Sequence, residues 1–199
     1  MTIQLGARIL GRMQSVASGA GAPTLGWIGM GRMGAAMATR LLDAGRDLAV
    51  YNRTRSKTEP LVAKGAKSVE SPSDLADRTI VFVTVAASDD LLAVLDGERG
   101  LLSGDASPAV VVDCSTVSAE ASERARAVAE ARGTAFLAAP VSGNPKVVRA
   151  GRLTMVVSGP KAAFDQVEPY LTTMAQAATY VGEGEVSRLV KLCHNLFLG

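Results

Sequence analysis

Cysteine and histidine are scarce in this 199-residue sequence, which holds Cys114, Cys193 and a single His. With a single His and no CxxC pair, no metal site of nitrogen and sulfur ligands can be assembled, so metal catalysis is set aside, and two cysteines suit free thiols better than a disulfide framework. Both thiols sit among small or apolar neighbours. That predicts reduced, largely buried cysteines and a cytoplasmic location. The longest apolar runs, such as Ile80 to Val83 and Ala109 to Val112, fall far below the roughly 20 residues that span a bilayer. No membrane segment is expected. Charge nearly cancels at +2 with both signs scattered, which leaves no broad basic surface for nucleic acid.

Glycine, by contrast, is abundant, with 20 residues, and its placement carries information. Leu25 to Ile28 is a short apolar run that meets the spacing Gly29-x-Gly31-x-x-Gly34. Such a run reads as a strand turning sharply into a helix. Glycine suits a turn that needs positive φ, a close approach to a ligand, or tight packing of helix on strand. The helix that follows offers free N–H groups and the positive end of its dipole to an anion. Gly29, Met30, Gly31, Arg32, Met33 and Gly34 are therefore candidate contacts for a dinucleotide pyrophosphate. A tight turn with nothing bound fits the same spacing.

Asp47 to Tyr51 reads as the second strand, and Asn52-Arg53-Thr54 follows at the offset, roughly 20 residues past the glycines, where a ribose-binding group is expected. A carboxylate there would hold the ribose of NAD; here it is absent and Arg53 is present. The guanidinium fork can grip a 2′-phosphate, which favours NADP(H) over NAD(H). A solvated turn capped by Arg53 is the plainer alternative.

Strands and helices keep alternating beyond this point. Helices are expected over 32–44, 56–63, 89–95, 118–132 and 160–174, and strands over 66–69, 79–85, 109–113, 135–138, 153–158 and 179–181. Ser71 followed by Pro72 reads as a helix start, and residues 139–145, with two prolines and small side chains, as a loop with open backbone donors. Val85-Ala86 and Ser115-Thr116 close two strands at the edge shared with the glycine turn, where ligands of open α/β sheets bind. The pattern predicts a Rossmann-type, doubly wound α/β fold with a mostly parallel sheet over 24–184, preceded by a flexible leader over 1–23. Residues 185–199 form the start of a long helix whose apolar stripe holds Val186, Leu189, Val190, Cys193, Leu196 and Phe197. Ser187, Arg188, Lys191, His194 and Asn195 fall on the other face. Nothing downstream can cover the stripe, so either the chain is a piece of a longer protein or a partner subunit covers it.

The series Gly29-x-Gly31-x-Met33-Gly34, Asn52-Arg53-Thr54, Asp113-Cys114-Ser115-Thr116, Pro140-Val141-Ser142-Gly143, and Lys191 with Asn195 resembles the β-hydroxyacid dehydrogenases. The match runs in order from Thr24 to Gly199. The resemblance implies an enzyme that moves hydride between NADP(H) and a small carboxylate substrate, a β-hydroxy acid or short semialdehyde. It further implies an all-helical C-terminal domain and a homodimer or higher oligomer. On this pattern Lys191 is the general acid/base and Asn195 orients the substrate hydroxyl. Ser142, Gly143 and Asn144 hold the carboxylate, Ser115 and Thr116 lie where nicotinamide meets substrate, and Val85 and Ala86 line the cofactor.

The sequence departs from the family at Ala138, where an Asp is common, and at Asn144, where a Gly is common; Lys146 adds a charge that the solvent-exposed reading explains. Lys191-x-x-His194-Asn195 is also similar to the phosphogluconate dehydrogenases, but Leu198 stands where they carry a further acid. Imine reductases share the cofactor half and usually lack the Lys. A non-catalytic nucleotide-binding or interaction module, or an inactive fragment, is the rival from another class.

Overall fold

A computed structural model describes residues 22–198 of the chain, so the leader expected over 1–23 lies, but for its last two residues, outside the described residues. The core is a parallel sheet of β1 (Leu25–Ile28), β2 (Leu48–Tyr51), β3 (Lys67–Ser68), β4 (Ile80–Val83), β5 (Val110–Asp113) and β6 (Ala135–Ala138). Their order across the sheet is β3-β2-β1-β4-β5-β6. The chain therefore reverses its direction of travel between β1 and β4, which opens a crevice at their C-terminal ends.

Every residue of β1, β4, β5 and β6 is buried, as strands covered by helices on both faces must be. One face packs on α1 (Arg32–Asp43) and, later in the chain, α6 (Lys161–Met174), through Met37, Leu41, Phe164 and Leu171. The other face packs on α3 (Ser88–Asp96) and α4 (Ala119–Ala131), through Leu91, Leu95, Ala125 and Ala129. Trp27 and Phe82 are register partners on β1 and β4, and their rings stack with centroids 5.0 Å apart. This is the doubly wound Rossmann-like arrangement that the alternation implies.

Several elements differ from expectation, each for a local reason. The helix expected over 56–63 splits into a 3-10 turn, Arg55–Thr58, and a single α turn, α2 (Glu59–Val62), with Pro60 near its start. The helix start at Ser71 yields only the 3-10 turn Pro72–Leu75, although Asp74 accepts a hydrogen bond from the Ser71 N–H at 2.9 Å as a cap should. The expected loop over 139–145 contains the short strand β7 (Val141–Ser142) and leads into α5 (Pro145–Arg149). Asn144 starts α5 by accepting from the N–H groups of Lys146 and Val147 at 3.0 and 3.1 Å.

β8 (Thr154–Ser158) then runs antiparallel to both β6 and β7, and β9 (Ala177–Gly182) pairs parallel with β8. The sheet is parallel from β3 to β6 and mixed beyond β6. The final helix is α7 (Val186–Leu198). Among the described residues no helix is long and apolar enough to cross a membrane, and no cluster of three or more His, Cys, Asp or Glu could hold a metal.

Candidate active site

The glycine turn divides into positions demanded by the fold and one that is not. Gly29 has φ +97° and a Cβ there would stand 2.0 Å from the Thr84 carbonyl oxygen; a Cβ on Gly34 would stand 2.0 Å from that of Gly29. No other residue fits at either place. Gly31 differs: its φ is −71°, and nothing lies within 4 Å of where its Cβ would go. It opens a space over the first turn of α1, whose N-terminus no side chain caps. An anionic group such as a pyrophosphate fits that cradle in size and sign.

Asn52 braces the turn, its Oδ1 accepting from the Met30 N–H at 2.8 Å while its Nδ2 donates to the Thr54 carbonyl at 2.8 Å. One candidate contact is thereby corrected: Met30 has its N–H occupied and its side chain in the core, whereas Asn52, although committed to the turn's backbone, lines the cleft that opens from it. Arg32 is exposed at the head of α1, and Met33 packs partly against the core.

A cleft of about 400 Å³ extends from the turn, lined by Gly29, Gly31, Arg53, Thr54, Val85 and Ala86. The candidates at the ribose end therefore share one space with those at the turn. Arg53 is 87% exposed, and among the described residues it meets Asp90 at 3.5 Å, a contact too loose and too wet to hold it. Arg55, by contrast, is paired with Glu70. Lys57 and Arg99 also line the cleft and were not foreseen. Lys57 follows Arg53 in one basic run, which was a usable signal; Arg99 arrives from the loop after α3 and left none.

Ser115 is only 2% exposed, and its hydroxyl accepts from the Val85 N–H at 2.9 Å. It holds the cofactor-side loop in place instead of facing a substrate, a second correction. Its neighbour Cys114 is buried as expected, and burial, reinforced by the Asp113 carboxylate and opposed by Arg188, pushes the thiol far above its ordinary range. Cys193, expected to be buried, is exposed.

A second recess, of about 220 Å³, is lined by Thr116, Pro140, Arg188, Lys191 and Asn195 among others. Lys191 is partly buried there, and desolvation lowers its pKa below the ordinary lysine value. Ser142, Gly143 and Asn144 do not line this recess; they stand on β7 and the turn after it, beyond Pro140. The Asn144 side-chain oxygen is spent on capping α5, so it does not reach into a carboxylate pocket.

The helix that brings Lys191 here is turned opposite to the usual sense. Ser187, 0% exposed, donates to the Ala138 carbonyl at 2.9 Å, and its N–H bonds the Ser158 hydroxyl at 3.1 Å. Arg188, 7% exposed, forms an ion pair with Asp113 at 2.5 Å and donates to the Ser115 carbonyl. Just before the helix, Arg126 of α4 grips the Gly184 carbonyl at 2.8 Å and the Glu185 carboxylate at 2.9 Å. Polar groups thus dock the helix, while Leu189, Leu192 and Leu196 point outward at 57%, 58% and 74% exposure. The face opposite the apolar stripe therefore opens with Ser187 and Arg188 turned inward, because buried Asp113 at the end of β5 draws the cation.

A glycine turn of this geometry, opening a crevice where β1 and β4 part, is the form of a nicotinamide-dinucleotide site, and a family model described as the NAD binding domain of 6-phosphogluconate dehydrogenase matches residues 24–182. The chain belongs to this family. This NAD-binding domain is 36% identical over 180 residues to the chloroplastic glyoxylate/succinic semialdehyde reductase 2 of Arabidopsis thaliana, covering 90% of the chain and 50% of that protein. It resembles the Mycobacterium tuberculosis 3-hydroxyisobutyrate dehydrogenase determined with L-serine, with a TM-score of 0.82 and 25% identity over 89% of this chain and 60% of that one. It also resembles the structure described as Psf3 in complex with NADP+ and 2-OPP, with a TM-score of 0.81 and 32% identity over 87% of this chain and 62% of that one. The chain spans 50% to 62% of the length of these proteins. Relatives of this NAD-binding domain are oxidoreductases of small hydroxy acids and semialdehydes.

Proposed function

We propose that the protein is an NADP(H)-dependent oxidoreductase that moves hydride between the cofactor and a small β-hydroxy acid or short semialdehyde. The observation that carries this reading is the junction of the two recesses: Lys191 shares one with Thr116, whose neighbour Ser115 holds Val85 on the wall of the other. When bound, the nicotinamide supplies or accepts the hydride. Lys191, as a neutral amine, takes the hydroxyl proton in oxidation; as an ammonium it returns that proton to the carbonyl oxygen in reduction. Its lowered pKa brings both forms closer to the working range. Asn195, one turn along α7 and in the same recess, orients the substrate oxygen.

Arg53 supports NADP(H), since it has no firm partner of its own and stands in the cleft with Lys57. A cytoplasmic homodimer or higher oligomer completes the reading. The exposed leucines of α7 favour one other assignment, a nucleotide-binding module without turnover, because no described residue closes the Lys191 recess on that side. Calorimetric titration with NADPH and NADH, followed by assays against β-hydroxy acids and semialdehydes, tests both. NADPH is expected to bind more tightly, with turnover of at least one substrate. Tight binding with no absorbance change for any substrate selects the module, and no binding of either cofactor sinks both.

A further inference from the structure

We infer that Arg188 is the positioning residue of the catalytic recess, its buried guanidinium setting the rotation and height of α7 so that Lys191 faces Thr116. The inference rests on the role proposed above for Lys191. Lys191 follows Arg188 at the i, i+3 spacing, so the two stand about one turn apart on neighbouring lines of the helix. Both line the same recess.

A helix normally takes its rotation from apolar side chains packed into a core. Among the described residues Leu189, Leu192 and Leu196 face outward, so against this domain the rotation is held by the polar contacts of the first turn. Ser187 fixes the start of the helix to Ala138 and Ser158, behind the recess. The hydrogen bonds and ion pair of Arg188 connect the helix to the strand end that carries Thr116. One nitrogen of its fork meets the Asp113 carboxylate and the other the Ser115 carbonyl, while its Nε donates to the Ser122 hydroxyl at 3.2 Å. Three fixed partners on two elements determine a planar group's position completely.

The connection continues towards the cofactor. The second Asp113 oxygen accepts from the Ser115 N–H at 3.0 Å, and the Ser115 hydroxyl accepts from Val85 N–H. One buried polar cluster therefore ties the helix bearing Lys191, the Thr116 loop and the cleft wall. Burying an ion pair is an inefficient way to gain stability, and an apolar pair of similar volume often serves as well. Directional contact between these segments is what the pair adds.

The test uses the full chain and two variants. Arg188→Met leaves a buried, unpaired Asp113 and can fail to fold for that reason alone. Asp113→Asn/Arg188→Met removes the charge on both sides, and the Asn oxygen still accepts from the Ser115 N–H. The double variant is expected to melt cooperatively and to bind NADPH with nearly unchanged affinity, while kcat falls on the order of tenfold to a hundredfold through misplacement of Lys191. Arg188→Lys, which keeps one contact of the fork, should recover part of that loss.

Lysines labelled by reductive 13C-methylation supply a readout independent of turnover, with the Lys191 signal identified by its loss in Lys191→Arg. That signal should move in the double variant towards the position of the exposed lysines. If the unaltered chain turns over no substrate, the proposed function fails, and the signal alone decides the role of Arg188. A folded double variant with an unmoved Lys191 signal, or with unchanged kcat where turnover is measurable, overturns the inference.

Discussion

The glycine cleft and the Lys191 recess lie along one edge of one sheet, yet they are held by different physics. The cleft is shaped by backbone sterics: Gly29 and Gly34 each pass so close to a neighbouring carbonyl that a single Cβ would collide. Its geometry is settled by pairing β1 with β2 and β4 and needs no particular side chain except the Asn52 brace. The recess depends on side chains that arrive from distant segments and meet through buried charge. A cleft made of backbone tolerates change almost anywhere except at its glycines. A recess made of side chains can be disturbed at many positions, none of which need destroy the fold.

The widest test of that contrast is a pair of glycine variants. Gly29→Ala should cost about 3 kcal/mol or more in urea denaturation, from left-handed strain plus overlap with Thr84, and should abolish cofactor binding. Gly31→Ala should leave stability unchanged or higher by about 0.5 kcal/mol while weakening both nicotinamide cofactors, because its methyl occupies only the open cradle. Equal destabilisation by the two would erase the distinction between a glycine the fold needs and one the ligand needs.

On the recess side, Lys191→Ala should lower kcat on the order of 10²- to 10⁴-fold with cofactor affinity and melting temperature nearly unchanged. In the oxidative direction the working form is the neutral amine. The rate should therefore rise with pH through a value below that of an ordinary lysine, since partial burial favours loss of the proton. That limb should vanish in the variant; its survival would assign the titration to another group. The smallest expected effect belongs to the exposed end of the cleft. Arg53→Gln should weaken NADPH by about tenfold, leaving NADH alone, as loss of one charge-assisted contact implies. Equal weakening of both cofactors would move Arg53 away from the 2′-phosphate.

How far these two regions could be read from the sequence follows from how they are held. The glycine turn, the alternating elements and the crevice edge are local in sequence, so spacing was enough to place Gly29, Gly31 and Gly34 on one turn and Arg53 in the cleft beside it. The antiparallel placement of β8 was not legible, because the run Leu153 to Ser158 looks the same in either direction. α5 was hidden by Pro140 and Pro145, which read as loop residues although Pro145 occupies the first helical turn, where proline is tolerated. The most instructive gap concerns α7. Periodicity separated its two faces and left the apolar one without cover, but it did not show that Ser187 and Arg188 anchor the other face to the domain. Asp113 was the overlooked sign: a carboxylate ending a run of buried valines requires a cation from somewhere, and Arg188 was available.

Trp27 carries a practical consequence of its place in the fold. It is the only tryptophan in the chain, fully buried on β1 and stacked on Phe82, two residues before Gly29. Excited at a wavelength that tyrosine does not absorb, its fluorescence should be that of one indole shielded from water, beside the turn where the dinucleotide is expected. Reduced nicotinamide absorbs light in the region where such an indole emits. The protein thus has a built-in optical gauge: energy transfer from Trp27 would report cofactor arrival in real time, without a label and before any substrate is known.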